Sequence, residues 1–233
     1  MKIFVLRIIA LCLLPLALHL CAAPPTGFPA ADEDLNYSVN WPSGLSLGEA
    51  HLHARKGADR WEFEFTLEAA VPGFAVADRF RSAATVQFCS VEFEKDTAHG
   101  RRKSREKTTF DYKKSVAKRA TVGGGKSEIA ISACARDALA YLFYARRELG
   151  QGRVPPAESV LAGASYQVRI EYGGPQTITL ADKRAEADRV VVSLKGPNSD
   201  IAFEAFFARD AARTPLLIRC PFSLGTFSLE LVR

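Results

Sequence analysis

Leu35, Tyr37, Val39 and Trp41 alternate with Asn36, Ser38 and Asn40, and Trp61, Phe63, Phe65 and Leu67 alternate with Arg60, Glu62, Glu64, Thr66 and Glu68. A period of two places every second side chain on the same face of an extended chain, so each stretch predicts a strand with one apolar and one wet face. Tyr166, Val168, Ile170 and Tyr172 repeat the pattern, as do Phe227, Leu229 and Leu231. Such strands belong in antiparallel sheets, because parallel sheets are covered on both faces and read as unbroken apolar runs. Turn residues fall between them. Gly173-Gly174 predicts a turn joining a strand over 164–172 to one over 177–181; Gly196-Pro197-Asn198-Ser199 separates 190–194 from 201–208; Asp210 to Pro215 precedes a strand over 216–220.

One stretch breaks the alternation. Across residues 135–149, Ala138, Leu139, Leu142, Phe143 and Leu149 recur at helical spacing, with Ser132 placed to cap the start, Arg146 and Arg147 suited to the dipole at the end, and Gly150 to stop it. A sheet of this length must curl or close to protect its edges. The predicted fold is therefore mainly β: a strongly curved antiparallel sheet or partly closed barrel of consecutive hairpins, with one main helix packed against it, in a single domain over 35–233.

The N-terminal residues follow another rule. Lys2 and Arg7 flank an apolar run from Ile3 to Leu20 that ends in Cys21-Ala22-Ala23-Pro24-Pro25. A basic start, a short apolar segment and a small-residue exit predict a secretory signal peptide over 1–22, followed by a flexible leader over 23–34. The expected location is outside the cytoplasm, periplasmic or envelope-associated. Leu18-His19-Leu20 before Cys21 lacks the small residue a lipoprotein-processing peptidase accommodates, which favours a soluble product over a lipid anchor on Cys21.

Removing residues 1–22 leaves 211 residues with a formal charge of +3, unevenly distributed. Between Lys95 and Arg119, ten basic residues face three acidic ones, a local +7. Arg101, Arg102, Lys103, Arg105 and Lys107 are the centre of this basic surface. The run lacks the interleaved aromatics that stack on bases, and export removes the nucleic acid, so nucleic acid is excluded as the expected partner. The alternatives are a solvated hairpin or a surface that meets an anionic envelope.

Of five cysteines, Cys89, Cys134 and Cys220 lie beyond the signal. Cys89 sits where the alternation slips from Val86 and Phe88 to Val91 and Phe93, and Cys134 sits at the mouth of the helix, so a Cys89–Cys134 disulfide is expected in an oxidising compartment, with Cys220 a buried free thiol. His51 and His53 project on one face of a strand, but without a third ligand they read as solvent-facing residues and not as a metal pair. Gly123-Gly124-Gly125 precedes a strand and so predicts a loop, not a phosphate cradle. No catalytic motif emerges, and the expectation is a protein without enzymatic activity, cofactor or metal.

Three segments carry a resemblance: 35–45 with Gly48-Glu49-Ala50, the helical stretch 137–146, and the hairpin 207–216. Together they resemble the bacterial domain of unknown function 3108. The resemblance implies an envelope-associated protein with no assigned activity. The hairpin is also similar to that of periplasmic lipoprotein carriers, whose curved sheet holds acyl chains against helices. That is a likeness of fold, and it does not transfer function.

Two functions follow as expectations. In the first, the protein is a binding or carrier module, with Tyr37, Trp41, Phe63, Phe65, Tyr166, Tyr172 and Phe203 lining a curved sheet around a lipid or other apolar ligand and the helix as lid. In the second it is an interaction or scaffolding protein of the envelope, acting through its outer surface and the basic hairpin 95–119. A cavity favours the first and a filled core the second.

Overall fold

The alternating segments become strands of one very long sheet, described by a computed structural model over residues 32–232 apart from Pro72, Asn198, Ser223 and Leu224. The signal expected at 1–22 and most of the leader lie outside the described residues. The order is β1 (Glu33–Asn40), β2 (Ser46–Lys56), β3 (Arg60–Val71), β4 (Phe74–Thr85), β5 (Ser90–His99), β6 (Arg102–Asp111), β7 (Val116–Thr121), β8 (Lys126–Ala130), β9 (Arg136–Asp137), α1 (Ala138–Gly150), β10 (Glu158–Leu161), β11 (Ser165–Leu180), β12 (Lys183–Lys195), β13 (Asp200–Ala208), β14 (Pro215–Phe222) and β15 (Gly225–Val232).

Neighbours in sequence are neighbours in space, except that β1 pairs with β15 and joins the two halves into one fifteen-stranded sheet running from β8 to β9. All pairs are antiparallel but β9–β10, whose strands are joined through the helix and run parallel. The sheet does not close into a barrel. Its two halves nevertheless meet: the Ser90 amide donates to the Ala135 carbonyl at 2.9 Å, and Cys89 and Cys134 form the disulfide beside it. Closing a loop of 45 residues, this bridge stabilises the fold by roughly 4 kcal/mol in the chain-entropy model. Gly163, in the turn between β10 and β11, has a φ of +84°, the left-handed backbone that glycine adopts most readily, and the turn lies against the Glu106 carboxylate of the facing half.

The helix lies inside the curl, and its sequence explains why. A helix laid on one sheet needs a single apolar stripe, but α1 is apolar nearly all round. Phe143 stacks on Phe63 at 4.1 Å between ring centres, in a core with Trp61, Phe88 and Leu139. Tyr141, Ala145 and Leu149 pack the other way, against Val160, Val168, Ile170, Val190 and Val192. Each large side chain buried this way is worth about 1.5–3 kcal/mol.

Three sequence expectations shift. The helix starts at Ala138, not 135, and Asp137 caps it by accepting from the amides of Leu139 and Ala140, while Ser132 stays exposed. Gly173-Gly174 is not a turn: β11 runs straight through it, with a bulge between Tyr172 and Gly174, and the turn comes at Ala181-Asp182, both at positive φ. The bulge reverses which residues of β11 share a face with β12. Beyond it, Ile178 and Leu180 pack with Phe206 and Leu217, on the side of the sheet opposite Val190. Finally, the leader's last residues are structured, because β1 begins at Glu33.

Candidate functional site

Functional side chains concentrate in three regions: the interior, the outer face of β2–β6, and the basic hairpins. The interior is held by polar contacts as much as by packing. Arg146, completely buried, donates through Nη1 and Nη2 to the two Glu33 carboxylate oxygens at 2.6 and 2.8 Å, and through Nε to the carbonyls of Ala212 and Arg213 at 3.1 Å. One side chain therefore ties the helix to the first residue of β1 and to the turn between β13 and β14. Asp137 is also completely buried; its Oδ2 accepts from Ser82 and Ser90 hydroxyls at 2.6 and 2.5 Å. Burial pushes its carboxyl up, opposed by the four hydrogen bonds it accepts. Asp188 forms a third buried station, paired with Arg213 and accepting from the Tyr172 hydroxyl at 2.9 Å.

The seven aromatic residues expected to line a ligand cavity do not converge on one. Tyr37 is buried and donates its hydroxyl to the Pro215 carbonyl at 2.9 Å, Phe63 lies between Trp61 and Phe143, and Phe65 stacks on Phe80 at 6.1 Å. Tyr166 and Phe203 pack in the cluster on the helix's other side. Trp41 meets the edge of Phe227 at 4.8 Å, and Tyr172 is half exposed at the margin. The helix stands between the two groups, which strand alternation alone could not reveal.

The outer face of β2–β5 carries a groove of about 610 Å³ lined by His53, Arg55, Glu62, Glu64, Arg81 and Glu94 among others. Its charges neutralise one another across strands: Arg79 pairs with Glu64 at 2.8 Å, Arg81 with Glu94 at 2.5 Å, and Lys107 with Glu92 at 2.6 Å. Hydrogen bonds from Arg55 and then His53 hold Asp34 below the usual carboxylate range. The His51 Nδ1 lies 2.6 Å from Asn36 Oδ1, so both histidines of the pair are engaged with β1 side chains. Exposed pairs of this kind contribute little stability individually.

The basic run divides when folded. Arg105 and Lys107 project on the outer face, bound to Asp96 and to Glu92 with Glu94. Arg119 pairs with Glu106. Arg101, Arg102 and Lys103, at the turn between β5 and β6, are exposed and make no ion pair among the described residues. Lys113 and Lys114 are likewise free, but at the turn between β6 and β7, at the other end of a ten-residue strand. The single basic lobe expected from sequence is therefore two separate tips, with a neutralised stretch between them. Cys220 is free and half-buried, and burial raises its thiol to about 11, well above the reactive range.

Sequence reasoning missed Glu33, Arg146 and Asp188, because charged residues in a leader, a helix end and a strand read as solvent-facing. Asp137 carries a legible signal, an acidic residue directly before the helical run, in competition with Ser132 five positions earlier.

The fold has a counterpart of known structure, a "Beta-barrel-like Protein of Domain of Unknown Function DUF1849 from Brucella abortus", with a TM-score of 0.61 at 6% identity, covering 87% of this chain and 96% of that one. At that identity the likeness is one of fold alone. Among curated proteins, none matches this chain. Residues 36–232 match the family described as "Protein of unknown function (DUF3108)", and the chain belongs to that family.

Proposed function

We propose that this protein is an exported, non-enzymatic interaction module of the cell envelope that works through its outer surface. The observation that carries this reading is the filled interior: Phe143 of the helix stacks at 4.1 Å on Phe63, where a carrier would hold its ligand. Arg146 and Asp137 fix the helix at both ends with buried polar contacts. A lid that opened for each ligand would have to break both sets of contacts, the Arg146–Glu33 pair and the hydrogen bonds of Asp137, each time. The Cys89–Cys134 disulfide accords with an oxidising compartment. The carrier reading keeps a curved sheet and a central helix in its favour, but Phe143 of that helix occupies the place against Phe63 where the ligand would sit.

Native mass spectrometry of the protein purified from its own envelope tests the proposal. The expected species has lost about 22 residues by signal cleavage, retains one disulfide and carries no lipid. A near-stoichiometric lipid, or an uncleaved N-terminus, would overturn it.

A further inference from the structure

In a sheet of consecutive hairpins the turns alternate between two ends, and here the ends differ. One end gathers the turns β1–β2, β3–β4, β5–β6, β7–β8, β10–β11, β12–β13 and β14–β15. Adjacent turns touch: the Gly100 amide donates to the Ala75 carbonyl at 2.8 Å, and Pro42 packs on Gly225, where a Cβ would meet its ring at 2.5 Å. The two most exposed large apolar residues described, Val122 at 74% and Leu45 at 67%, both sit in turns of this end, and Ile201 lies at the same end three strands on from β1. Between the turns that carry Leu45 and Val122 lies the tip with Arg101, Arg102 and Lys103. The opposite end has small and polar turns, Gly57-Ala58-Asp59, Lys113-Lys114-Ser115 and Ala181-Asp182, and its exposed apolar residues, Val232 at 54%, Val86 at 43% and Val91 at 42%, are less exposed than Val122 and Leu45.

We propose that the first end docks on an anionic lipid bilayer, with Arg101, Arg102 and Lys103 against the headgroups and Leu45 and Val122 entering the interface on either side. This deepens the preceding reading and rests on it, since it names the partner of an outer-surface module. Charge complementarity selects the occupant: three adjacent cations lack a carboxylate partner, and each cation near an anionic surface adds about 1 kcal/mol. Shape selects it too. The apolar residues stand on turns six strands apart, about 30 Å measured along the curved edge of the sheet, which suits a broad interface better than a single polypeptide groove. The two tryptophans then report orientation, because Trp41 lies at the docking end and Trp61 at the far end of β3.

Co-sedimentation of the mature chain with phosphatidylcholine vesicles, with and without phosphatidylglycerol, tests this. Binding is expected only to the anionic vesicles, weakening as salt rises. Reversing the tip with Arg101→Glu, Arg102→Glu and Lys103→Glu should weaken it by at least about tenfold, and Leu45→Glu by about tenfold. Lys113→Glu with Lys114→Glu, at the other end, should change it by less than about twofold. Brominated acyl chains should quench Trp41, an effect abolished by Trp41→Phe. Absence of binding to either vesicle would overturn the proposal, as would sensitivity to Lys113 and Lys114 in place of the Arg101 tip. Binding that ignores Leu45→Glu and is abolished by soluble polyphosphate would show a polyanion as the occupant and overturn the bilayer. None of these failures touches the filled-core reading, which native mass decides separately.

Discussion

Arg146→Ala is expected to destabilise the protein by about 3–5 kcal/mol, because it strands the Glu33 carboxylate in a site with little access to water. Arg146 is completely buried, its partner nearly so, and the two turn carbonyls lose their donor as well. That loss is a large part of the 5–15 kcal/mol typical of a folded domain. The same pair removed together, as Arg146→Met with Glu33→Gln, should cost distinctly less, since no unpaired charge remains. Urea unfolding followed by circular dichroism reads both variants: the midpoint should fall at unchanged slope in the single variant and recover in the double one. Equal losses in the two would mean that the ion pair is not what holds the helix.

Asp137→Ala should be comparably severe, about 3–5 kcal/mol, combining a lost cap with buried donors left unsatisfied. Ser82, Ser90, Leu139 and Ala140 would all lose their acceptor. Asp137→Asn is the informative variant for pH dependence. Burial raises the carboxyl above its ordinary value of 3.8, so the folded state holds this proton more tightly than the unfolded chain. The contribution from that difference is fully present below the unfolded value and is lost as pH rises through the folded one. The stability of the native protein relative to Asp137→Asn should therefore decline as pH is raised from about 4, measured as the difference between their unfolding free energies. A difference that grows with pH would show that the four hydrogen bonds outweigh burial at this carboxyl.

The strands were legible because the chain writes one wet and one dry face into residues such as Trp61, Phe63 and Phe65, and the disulfide because Cys89 and Cys134 interrupt that pattern at places where segments can meet. What failed was context. Gly173-Gly174 carries the same letters in a turn as in a bulge, and only the partner strand β12 distinguishes them. Glu33 and Arg146 look like ordinary surface charges until the fold brings them together across 113 positions. Nothing in the spacing of aromatic residues such as Phe63 and Tyr166 tells whether a helix or a ligand fills the space they face. The local charge of the basic run was countable, but its division into two ends depends on cross-strand partners such as Asp96 and Glu94.

Whether the interior belongs to the helix is decided most directly at Phe143, which is fully buried against Phe63. Phe143→Ala should cost about 3–5 kcal/mol in equilibrium unfolding, the penalty of a cavity opened in a packed core. A loss below about 1 kcal/mol, far short of that penalty, would contradict the account and return the interior to an apolar ligand.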